Sequence, residues 1–128
     1  MGQMTLALLV GVEYADDDAV WEKMEDLSEA WRETGKNRGW GEAECVEFPS
    51  EAGRFLIGFY AAVGASGRNG CPDFLETATP LDDLESSEPF KSSIMRARKT
   101  WGKFAKFASE RGFDFGPARL WITPTEVA

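Results

Sequence analysis

Two unbroken apolar runs, residues 6–10 and 55–63, each precede an amphipathic stretch, so hydrophobicity repeats in two halves along the chain. A run without polar interruption is the pattern of a strand covered on both faces, and strands are predicted over 5–12 and 55–63. After the first, Val20, Met24, Leu27 and Trp31 recur at spacings of 4, 3 and 4, which puts them on one face of a helix. Glu22, Glu25, Asp26, Glu29 and Glu33 occupy the remaining faces. Asp16, Asp17 and Asp18 supply a cap and negative charge for the positive helix end, and Gly35 supplies a stop.

Acids alternate with Ala43, Cys45 and Val46 over 42–48, a pattern suited to a charged edge strand. A second helix is predicted over 87–111, where Phe90, Ile94, Ala97, Trp101, Phe104 and Ala108 recur at 4, 3, 4, 3 and 4. Gly102 lies inside it, at a cost of about 1 kcal/mol relative to Ala, so close packing is expected to retain it. A last strand is predicted over 118–123, with Ala118, Leu120 and Ile122 on one face.

This order, strand-helix-strand-strand-helix-strand with the two most apolar strands first and third, resembles a ferredoxin-like α/β plait, an α+β fold. The resemblance is one of topology and rests on no sequence motif. It implies one βαββαβ domain over residues 1–128, sheet order 4-1-3-2, both helices on one face, and an insertion over 64–87 between strand 3 and helix 2. The first and third strands are expected to be parallel neighbours at the sheet centre. A length of 128 residues fits one domain.

Charge changes the picture more than composition does. The net charge of −8 divides into 19 acids and 6 bases over residues 1–90, against 3 acids and 8 bases over 91–128. Residues 16–36 carry 8 acids and 3 bases, whereas 87–112 carry 2 acids and 7 bases. Part of this opposite charge is expected to flank a seam between adjacent helices, where exposed pairs contribute about 0–1 kcal/mol each. The outer acids of the first helix are expected to steer a basic protein partner. Nucleic acid is disfavoured as a partner, because the other acids would repel a polyanion.

The chain has no histidine, which removes Ser-His-Asp and Cys-His catalysis and most zinc sites. Cys45 and Cys71 fit no CxxC pattern and are expected to be thiols in a reducing compartment. Gly64, Gly67 and Gly70 lack the Lys-Ser or Lys-Thr of a phosphate loop. Asp73, Glu76, Asp82, Asp83 and Glu85 are expected to be solvated loop acids, and no cofactor or metal is implied. Residues 4–12 are too few to span a bilayer, and no basic residue precedes them. A cytoplasmic location follows as the expectation.

These features point away from an enzyme and toward a small acidic protein that binds and inhibits a basic partner, in the manner of immunity proteins or phage anti-defence inhibitors. Glu22, Glu25, Asp26, Glu29 and Glu33 would form its binding surface, with Trp40, set between two glycines, as anchor or as a cap folded over the helix end. The alternative is a dimeric small-molecule binder or histidine-free enzyme. It would use an open sheet face of Leu9, Leu56, Tyr60 and Trp121, unless the 64–87 segment covers that face.

Overall fold

The longest strand, β1 (Gln3–Ala15), carries the first apolar run and is flanked by strands on both sides. The remaining elements are α1 (Asp18–Gly35), β2 (Glu44–Glu47), β3 (Arg54–Val63), a 3-10 turn (Leu81–Asp83), α2 (Phe90–Ser109) and β4 (Arg119–Val127). The computed structural model describes residues 3–15, 18–36, 38, 40, 43–47, 54–64, 81–88 and 90–127. Neighbours across the sheet run β2-β3-β1-β4, and every adjacent pair is antiparallel.

The strand order is the expected 4-1-3-2 read from the opposite edge, but the ferredoxin-like plait drawn from the sequence is corrected in the weight of its fourth strand and in strand direction. The body of the sheet is three long antiparallel strands of 13, 10 and 9 residues, while β2 is a rim of four residues, Glu44–Glu47, with Ala43 outside it. The central pair, expected to be parallel, is antiparallel, with Val10 opposite Phe59 and Val12 opposite Ile57. The physical reason lies in the connections. The crossover through α1 returns β2 in the direction of β1, β3 then runs against β2, and β3 must therefore run against β1. The architecture is an antiparallel α+β layer with two helices on one face.

Side-chain alternation decides what each face buries. Leu8, Val10, Phe55, Ile57 and Phe59 join Met24, Leu27 and Trp31 of α1 and the apolar stripe of α2 in one core. A register shift between Leu8 and Leu9 leaves Ala61 as an extra residue on β3, so Ala61 and Ala62 both enter this core. α2 lies over β3 and β1, and α1 reaches β2. Ile122 of β4, on the same face, is left 46% exposed, because α2 packs on β3 and β1 and α1 on β2.

Local signals end α2 cleanly. Gly112 adopts φ 87°, the left-handed conformation that L side chains disfavour. The Phe113 amide donates to the Ala108 carbonyl at 2.9 Å and the Gly112 amide to Ser109 at 3.1 Å, which is a Schellman cap. Within the helix, Gly102 behaves otherwise than expected. A Cβ built there meets nothing within 4 Å, so no close packing holds the glycine in place.

Gly11 and Gly58 are the opposite case. They face each other across β1 and β3, and a Cβ on Gly58 would lie 2.2 Å from the Val10 carbonyl oxygen and 2.8 Å from the Gly11 Cα. Backbone atoms of two interior strands cannot yield there. Gly58→Ala should therefore lower the unfolding free energy by about 3 kcal/mol, whereas Gly102→Ala should raise it by about 1 kcal/mol. Urea denaturation of the two variants checks both signs.

Tyr14 packs 6.0 Å from Phe55 and edge-on at 5.3 Å from Phe115. Burial lifts its phenol pKa above the usual 10.0, because the phenolate loses hydration. The unfolded chain releases this proton near 10 and the folded chain only above it, so stability should fall as pH rises past about 10. Tyr14→Phe should shrink that alkaline loss in a denaturation series taken across the same pH range.

Candidate interaction surface

The rotation of α1 about its axis is set by Trp31, which has no exposed surface. Its indole meets the rings of Phe59 at 5.8 Å, Phe104 at 5.3 Å and Phe107 at 5.5 Å, all edge-on. With that face fixed inward, Glu22, Glu25, Asp26, Glu29 and Glu33 are all exposed. None of these five makes an ion pair among the described residues. The expected charge seam is therefore not formed by them, and their charge is turned to solvent.

Beside this acidic face, α1 and the β2 rim enclose an open groove of about 390 Å³. Glu25, Asp26, Glu29 and Arg32 line it from the helix, and Ala43 and Cys45 from the strand side. At its floor the Ser28 hydroxyl and the Cys45 thiol lie 3.6 Å apart. Cys45 is half-buried. The groove was not anticipated from sequence. The one signal for it is the small apolar side chains at 43 and 45, which leave room beneath long helical acids.

Trp40 is placed as a cap folded over the helix end. Its ring stacks on Trp31 with centroids 4.3 Å apart, and the Arg38 guanidinium carbon lies 5.3 Å from its centre. Gly35 makes this possible, since a Cβ there would come 2.6 Å from the Trp40 ring. One face of the indole is thus occupied within the chain, and Trp40 serves the core edge before it could serve a partner.

The sheet face opposite the helices is not open as expected. Leu9 and Leu56 have no exposed surface, and Tyr60 and Trp121 are half-buried. The Trp121 indole N–H donates to the Gly11 carbonyl at 3.0 Å, laying the ring across the β4–β1 pair. Of the four residues expected on that face, Tyr60 and Trp121 therefore keep partial exposure while Leu9 and Leu56 do not.

Among the described residues no group of three or more metal-binding side chains converges, and no helix is long and apolar enough to cross a membrane. Asp82 and Asp83 are exposed, and Glu85 is ion-paired with Arg98 of α2. Asp16, Asp17, Gly67, Gly70, Cys71, Asp73 and Glu76 lie outside the described residues, as does most of the 64–87 segment. Comparison with protein-family models, curated proteins and solved structures gives no match for this chain.

The Trp31–Trp40 stack has a measurable signature. Gly35→Ala should displace Trp40 and weaken the near-ultraviolet circular dichroism of the indole pair while the far-ultraviolet helix signal stays unchanged. An unaltered near-ultraviolet spectrum would mean that the stack does not depend on Gly35.

Proposed function

We propose that the chain is a non-catalytic cytoplasmic protein that captures and inhibits a basic protein partner through α1, in the manner of an immunity protein or a phage anti-defence inhibitor. The observation that carries this reading is the outward row of uncompensated carboxylates on one rigidly anchored helix, Glu22, Glu25, Asp26, Glu29 and Glu33. Acids held on a well-packed helix cost little further ordering when a partner arrives, so they can raise its association rate and choose its sign.

The adjoining groove suits the same partner. Its acids could receive a lysine or arginine side chain, with Arg32 at the margin excluding a second one. An inhibitor needs no reactive group of its own, which agrees with the absence of histidine from the chain. Trp40 contributes by fixing the C-terminal end of α1 rather than by inserting into the partner.

Immobilised protein should retain a basic protein from native lysate and release it on a rising salt gradient. Reversing Glu25, Asp26, Glu29 and Glu33 to lysine should slow capture about tenfold and flatten its salt dependence. Capture unaffected by the four reversals would exclude α1 as the binding surface.

A further inference from the structure

We infer that the helix layer is also a self-association surface, on which a second copy of the chain docks with α1 of each copy lying along α2 of the other. The sequence pattern on the outer faces carries this. On α1, Glu22, Asp26, Glu29 and Glu33 follow one another at spacings of 4, 3 and 4, and all are exposed. On α2, Met95, Lys99, Gly102 and Lys106 repeat the same spacing, all exposed, with Lys91 and Lys103 beside them. These two rows mirror the buried stripes of the same helices, so each helix carries an inner apolar seam and an outer charged one of equal period.

Neither outer row is neutralised by ion pairs among the described residues. None of the four acids, and none of Lys91, Lys99, Lys103 and Lys106, forms an ion pair among the described residues. The rows are also matched in length, since helices of 18 and 20 residues extend about 27 and 30 Å. α1 connects β1 to the parallel strand β2, and α2 connects β3 to the parallel strand β4, so the two helices run antiparallel.

That arrangement selects one symmetry. A two-fold axis parallel to the helices sets α1 over α2 and α2 over α1, both pairs antiparallel, and because Trp31 packs beside Phe104 and Phe107 it brings Glu29 and Glu33 nearest Lys103 and Lys106. A two-fold axis across the helices would instead stack acid on acid and base on base. The favoured arrangement is isologous and closes at two copies. Met95, 61% exposed, supplies an apolar contact, and the open space above Gly102 lets the opposing helix approach. Because the surface is mostly charged, the association is sensitive to salt. It needs no other protein, so it goes beyond the basic-partner reading; a basic partner would compete for the same acids.

Sedimentation of the full chain alone tests this at about 0.01 M and about 1 M salt, where the Debye lengths are about 30 and 3 Å. At low salt a species of twice the 14.2 kDa chain mass is expected, and at high salt the single chain. One variant reverses Glu22, Asp26, Glu29 and Glu33 to lysine; the other reverses Lys91, Lys99, Lys103 and Lys106 to glutamate. Each should be a monomer alone, and an equimolar mixture should restore the dimer, because both inter-copy helix pairs become complementary again. Gly102→Trp, with its single bulky change on the outer row, should abolish the wild-type dimer without altering net charge. A wild-type chain that stays monomeric at low salt overturns the inference. So does a dimer that survives either reversal, or growth into open chains without a dimer end point.

Discussion

The burial of Trp31 is the contact on which the arrangement of the helix layer depends. One indole, sealed from solvent, touches β3 through Phe59 and α2 through Phe104 and Phe107, and carries Trp40 on its remaining face. Removing so large a buried ring typically costs about 3–5 kcal/mol. Here it would also release the rotation of α1 about its axis. The charge presented to solvent is therefore a consequence of aromatic packing underneath, since the acids point outward only while Trp31 points inward.

The same logic divides the molecule into a sealed side and an exposed charged side. The opposite sheet face hides Leu9 and Leu56 completely, and the Gly11–Gly58 contact lets β1 and β3 approach too closely for any side chain between them. The helix layer instead displays an acidic row and a basic row whose charges are not spent on each other. A surface of that kind offers recognition by sign and spacing, which suits capture of a basic partner and pairing with a second copy alike.

Much of the layering was legible in the sequence because helical burial is an angular property. Spacings of 4 and 3 named Met24, Leu27, Trp31, Ile94, Ala97, Trp101 and Phe104, and all are buried. Continuous apolar runs marked the two strands that have neighbours on both sides. Strand direction was misread, since it follows from the sum of connections and not from any local pattern. β2 is shorter than its alternation suggests, and β4 extends past the run that marked it.

The candidate site was half legible. Exposure of the five α1 acids follows from periodicity alone, yet the groove beside them requires knowing that β2 comes to rest under Ser28. Trp40 read equally as anchor or cap, and only the 4.3 Å stack on Trp31 decides for the cap. The sheet face looked open because alternation shows which side chains point away from the helices, not whether anything lies over them. Gly102 looked packed because a helical glycine is costly, but cost alone does not reveal which way the position faces.

The most direct test is a nuclear Overhauser map of the side chains of the folded protein. The account requires contacts from the Trp31 indole to Phe59, Phe104 and Phe107, and none between Glu22 or Glu29 and the lysines of α2 within one chain at high salt. Contacts between those acids and lysines under the same conditions, or a Trp31 ring without its aromatic neighbours, would contradict it.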